Sequence, residues 1–84
     1  MKINFSRHAK NRIRRLKIEP EEVLETIRNP YIVTDSIKDR KNAWKKYPSL
    51  WLRVTYTLAD TGSMVVITVT YKKKLPGEGD ADEN

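Results

Sequence analysis

The chain has 84 residues, no cysteine, one histidine, and 17 Lys and Arg against 11 Asp and Glu, for a net charge of +6. That length makes one domain with a thin core, and the lack of cysteine excludes a disulfide framework and any thiolate-held metal. No apolar run approaches a membrane span, and Met1 to Phe5 lacks the apolar region of a signal peptide, so a cytoplasmic protein without a membrane anchor is expected.

The charge is unevenly placed. All 17 basic residues but only seven of the 11 acids lie at or before Leu75, which gives that body +10; Glu78, Asp80, Asp82 and Glu83 lie beyond it. A small domain with such an excess attracts polyanions, nucleic acid first among them. A ribosome, an acidic protein or an anionic membrane surface are the other partners of that charge. A merely solubilising surface is the plain alternative.

Lys2 to Phe5 alternates polar and apolar residues, a short strand signal. Residues 6–17 read as a helix. Ser6 is the expected N-cap, and Ala9, Ile13 and Leu16 form one apolar stripe at i, i+4, i+7. His8, Arg12 and Arg15 repeat that spacing one position earlier and so line the edge of the stripe. Lys2 to Lys17 holds seven basic residues and no acid. Residues 20–29 read as a second helix, with Pro20 at its first position and Glu19, Glu21 and Glu22 at its positive end. Val23, Leu24 and Ile27 are its apolar face, and Asn29-Pro30 stops it.

Four strand signals follow. Tyr31 to Ile37 is rich in β-branched residues, and Asn42 to Tyr47 is a weaker candidate. Leu50 to Ala59 alternates cleanly, with Leu50, Leu52, Val54, Tyr56 and Leu58 against Trp51, Arg53, Thr55 and Thr57. Met64 to Tyr71 sets Val65, Ile67, Val69 and Tyr71 against Met64, Val66, Thr68 and Thr70, after an Asp60–Ser63 hairpin loop with Gly62 free to take a positive φ. These elements predict an α+β domain over residues 1–75, with two N-terminal helices packed on one face of an antiparallel sheet of about four strands. Residues 76–84 are Gly-rich and acidic and are expected to be disordered.

Chemistry has few candidates. A histidine pair is excluded, and Asp35, Asp39 and Asp60 show no ligand spacing, so no metal and no cofactor are expected. Arg12, Arg15, Arg53 and Lys72 to Lys74 are separated in sequence but can converge on a compact sheet. Their cationic groups suit phosphate, and an Arg fork can hold it in two places. RNA cleavage can use its own 2′-hydroxyl, so positioning and charge stabilisation by Arg and Lys, with one Tyr or His to move a proton, would suffice. For each basic residue the plain alternative is a solvated surface charge. Arg53, inside a strong strand among threonines, either serves a function or pairs with Asp35. His8 either moves a proton or packs its ring at the stripe margin. Trp44, Trp51, Tyr47 and Tyr71 either stack on bases or cover the core.

Ser6-Arg7-His8-Ala9 with Arg12, then Ile18-x-Pro20-Glu21-Glu22-Val23 and Asn29-Pro30, resembles a small prokaryotic domain-of-unknown-function family of the S-x-H-A-x-x-R type, itself similar to the RelE/ParE and BrnT toxins. The resemblance spans roughly Ile3 to Tyr71. It implies a short first strand, two helices and then an antiparallel sheet. RelE-like relatives cleave mRNA without metal, commonly on the ribosome, and pair with an antitoxin protein; ParE-like relatives act on gyrase instead. Carried over by position, Arg53 is similar to the strand arginine, and Tyr71 with Lys72 to Lys74 to the C-terminal catalytic group; His8 is the alternative to Tyr71 for moving the proton. Arg12, Arg15, Lys73 and Lys74 would bind the RNA. The expected function is thus a RelE-like toxin acting on RNA, with a non-catalytic basic module of the same fold as the alternative. On simple alternation Tyr71 falls on the helix side of the sheet, away from Arg53, unless a bulge intervenes.

Overall fold

The computed structural model describes residues 2–76. Strand β1 (Ile3–Phe5) leads into helices α1 (Arg7–Leu16) and α2 (Pro20–Arg28). Strands β2 (Ile32–Asp35), β3 (Lys41–Lys46), β4 (Trp51–Leu58) and β5 (Met64–Lys72) follow. Of the segment expected to be disordered, only Pro76 is among the described residues; 77–84 lie outside them.

Both helices begin and end where local chemistry dictates. Ser6 Oγ accepts the Ala9 amide at 3.0 Å and so caps α1. At its other end Lys17 takes the left-handed conformation, φ 58°. The Ile18 amide then reaches back to the Ile13 carbonyl at 3.0 Å, closing the turn that usually carries glycine at the Lys17 position. Pro20 opens α2, and Glu21 and Glu22 occupy its first turn. Ala9, Ile18 and Val23 from this helical layer pack on Leu52, Val54, Val66 and Val69 of the sheet, with Ile3, Phe5, Ile13 and Tyr71 at the rim. Thr26 is also fully buried. It tolerates that position because its hydroxyl donates to the Glu22 carbonyl one turn back, at 2.7 Å.

The sheet departs from the expected one in strand number and in direction. It has five strands in the order β1-β5-β4-β3-β2. β2 to β5 form an antiparallel meander, but β1 pairs parallel with β5, Ile3 opposite Met64 and Phe5 opposite Val66. The parity of the meander fixes the direction of β5. The two helices bring the chain from β1 to the far edge, where the meander starts.

A bulge corrects the expected faces of β5. Thr55 pairs with Thr68 and Tyr56 with Val66, which leaves Ile67 without a partner on β4. The extra residue reverses the side-chain phase. Val66 therefore shares the helix-facing side with Val69, where strict alternation sets them apart. Tyr71, paired with Leu52, stays on that side. On the other side lie Trp51, Arg53 and Thr55 of β4 with Thr68, Thr70 and Lys72 of β5, and Asn42, Trp44 and Lys46 of β3. No helix covers this face among the described residues. Even so, Trp44 and Trp51 are only 1% and 6% exposed. The Trp44 indole donates to Thr34 Oγ1 at 3.0 Å. The rings of Tyr31 and Trp51 meet edge-on at 5.0 Å.

Candidate functional site

Register determines what Arg53 meets. Across its two ladders it stands opposite Trp44 of β3 and Thr70 of β5. One row further on, Trp51 stands between Lys46 and Lys72. Lys46 Nζ lies 4.8 Å from the Trp51 ring centroid, a cation–π contact. Arg53 and Lys72 are diagonal neighbours on adjacent strands, close enough for long side chains to act on one ligand. The strand positions that share this face carry Lys46, Arg53 and Lys72 and no acid.

The edge of β5 brings in a second guanidinium. β1 covers β5 only as far as Val66, and α1 takes over from there. The Ser6 amide donates to the Val66 carbonyl at 3.0 Å, and Ser6 Oγ donates to the Ile67 carbonyl at 2.8 Å. Arg12 Nε donates to the Val69 carbonyl at 3.3 Å. Its Nη2 donates to Thr70 Oγ1 at 3.0 Å. Arg12 thus wraps from the helical layer round the strand edge and ends beside the residue that Arg53 faces. These bonds satisfy strand carbonyls that would otherwise lack a partner. Ser6, Ala9 and Arg12, three of the residues that make the N-terminal motif recognisable, all dock α1 on β5.

The remaining expected residues divide. Lys72 joins the open face. Lys73 and Lys74 follow the strand end and are exposed. His8 and Arg15 flank Arg12 along α1, both exposed. Tyr71 is on the wrong side for the expected catalytic group. It faces the helical layer, its ring 6.3 Å from that of Tyr47, in a groove with Ile18, Glu22 and Leu50. There the Tyr47 hydroxyl donates to Glu22 Oε1 at 2.5 Å. Desolvation, and secondarily this bond to Glu22, hold the Tyr47 phenol well above its ordinary range. The sheet itself separates Arg53 from Tyr71, so the two cannot share one phosphate.

Two alternatives left open by the sequence are narrowed. Arg53 does not pair with Asp35, because β3 lies between their strands. Asp35 instead accepts from Lys41 Nζ at 2.6 Å. The hydrogen bond and charge of that lysine hold the carboxyl below its usual range. Trp44 and Trp51 are buried and do not present a stacking platform; they pack the open face from within. Lys46 and Thr70 were not singled out in the sequence. The signal for Lys46 is its parity with Trp44, visible only once β3 is paired in register with β4. Among the described residues no group of three His, Cys, Asp or Glu could hold a metal ion, and no helix is long and apolar enough to cross a membrane.

A family model described as a domain of unknown function, DUF4258, matches residues 5–71. The chain belongs to this family. The match runs from the last residue of β1 to Tyr71, so it takes in the α1–β5 clip and the open face of the DUF4258 domain as far as Thr70, while Lys72 lies one residue beyond it. No curated protein and no solved structure matches the chain.

Proposed function

We propose that this DUF4258 protein is a toxin-type protein related to the RelE/ParE and BrnT group, and that it binds RNA on the open face of its sheet. The observation that carries the reading is the row Lys46–Trp51–Lys72 beside Arg53, on strand positions that hold no acid. Arg53 and Lys72 would hold successive phosphates, Lys46 would add charge at the rim, and Arg12 would fix Thr70 beside them. Lys73, Lys74 and Arg15, all exposed, extend the positive field past the strand end. The order of a short strand, two helices and a β-meander agrees with the toxin resemblance. An antitoxin that neutralised such a protein would be expected to present acidic groups to this face, and a ribosome to present its RNA.

Metal-independent cleavage is the second reading. Arg53 and Arg12 flank Thr70 and could together stabilise charge on a scissile phosphate. The proton acceptor would then be His8, on the same side of α1 as Arg12, because Tyr71 lies across the sheet. The test is titration of a labelled single-stranded RNA into the wild type and Arg53→Met at several salt concentrations, with cleavage followed in parallel. Binding that weakens with salt and is impaired by the substitution is expected. No binding by the wild type at low salt would remove RNA from the account.

A further inference from the structure

The open face has its ligand-like counterpart in the same chain. Residues 77–84, Gly-Glu-Gly-Asp-Ala-Asp-Glu-Asn, carry four carboxylates and no base. β5 ends at Lys72, itself part of the basic row. Glu78 is six residues further on, within about 20 Å of chain reach at roughly 3.3–3.6 Å per residue. Arg53 is a diagonal neighbour of Lys72 at roughly 7–8 Å. The acids can therefore reach Lys72, Arg53 and Lys46 without any rearrangement of the sheet. The acids of the folded body are elsewhere: Glu19 to Glu25 belong to α2 and its cap, Asp35 is taken by Lys41, and Asp39 and Asp60 sit in turns.

We propose that the acidic segment 77–84 docks on the basic open face of its own sheet and competes there with RNA. Its spaced carboxylates present negative charge to Lys46, Arg53 and Lys72 as a phosphate backbone would. A short tether gives such a segment an effective concentration in the millimolar range. Weak charge pairing is therefore enough to fill the face when no polyanion is present, and an RNA with several phosphates displaces it. The docking rests on charge and reach alone; only the competition rests on the RNA-binding reading.

The experiment compares amide NMR spectra of the full chain with those of a variant carrying Glu78→Gln, Asp80→Asn, Asp82→Asn and Glu83→Gln. Shift differences are expected at Lys46, Arg53, Thr70 and Lys72, and they should collapse near 1 M salt, where the screening length falls to about 3 Å. The neutral variant should bind a labelled single-stranded RNA roughly tenfold tighter, as expected when a tethered competitor is removed. A second variant, with a flexible Gly/Ser linker inserted between Pro76 and Gly77, keeps the net charge but dilutes the segment. It should recover part of that gain, which a mere change in net charge would not produce. Differences confined to the neighbourhood of residues 73–84 would overturn the docking, whatever the RNA affinities. Differences on the face with equal RNA affinities would overturn the competition. Differences on the face with no RNA binding by any variant would support docking and overturn the RNA reading instead.

Discussion

Arg53 and Tyr71 illustrate how much a single side chain's direction decides. Arg53 faces the basic row, whereas Tyr71 faces Tyr47 and the helices. Arg53→Met keeps most of the aliphatic stem beside Trp44 while removing the fork. It should weaken RNA binding by roughly tenfold or more, as loss of a charge-assisted phosphate contact does, with little change in Tm. Tyr71→Phe should leave RNA affinity unchanged; a matched loss in both variants would refute the placement of the site on the open face. Tyr47 gives a prediction in pH. Its folded-state pKa is raised, so its contribution is complete below the unfolded value, about 10 for a tyrosine, and is lost as pH rises toward the folded one. Tyr47→Phe should cost about 1 kcal/mol at neutral pH and should soften the loss of stability above about pH 10, as read from denaturant melts across that range. Arg53 was conspicuous in the sequence because an arginine interrupts an otherwise clean strand. Its neighbours were not, since local alternation gives a residue's face but not the strand beside it.

At the scale of elements, α1 is held to β5 by a clip of three residues. Ser6 both caps the helix and satisfies the carbonyl of the bulged Ile67. Ser6→Ala should therefore cost about 2 kcal/mol, the sum of a lost cap and a lost strand bond. A cost of only a few tenths in a urea melt would mean that the bond to Ile67 contributes nothing. Lys17 offers the opposite change. It is held at φ 58°, where a residue with a Cβ is strained, so Lys17→Gly should stabilise the protein by about 1 kcal/mol. Both helices and the existence of all four later strands were legible, because capping and periodicity are local. The phase of β5 was not. A bulge depends on the register of two strands, and nothing in Met64 to Tyr71 marks Ile67 as the residue that will be left over. Arg12 was read as a binding residue for a related reason: its two bonds to Val69 and Thr70 exist only because β1 stops short at Phe5.

At the scale of the molecule, the helices protect one side of the sheet and leave the other to charge and two tryptophans. If that open side holds RNA, log K should fall linearly with log salt. The slope is about −0.7 per phosphate neutralised on a single strand, and Arg53→Met should lower its magnitude by close to one contact. A salt-independent affinity would point to a face that recognises something other than a polyanion. The α+β class followed from stripes and alternations alone, but the mixed sheet did not. Lys2 to Phe5 announces a strand without saying which distant strand it joins.

That distant pairing has a consequence for synthesis. β5 lies between β1 and β4, so among the described strands the one translated last is an inner one, and β1 waits for it across the 58 residues from Ser6 to Ser63. Until β5 emerges, Ile3, Phe5 and the Ser6–Arg12 clip have nothing to bind, and β4 remains an open edge exposing Leu52 and Val54. Folding in such a topology is deferred rather than progressive, because the entropy of closing the loop must be met before the long-range contacts exist. A nascent chain halted before Met64 should be digested by protease, and one halted well past Lys72 should resist it, with no partly protected species between.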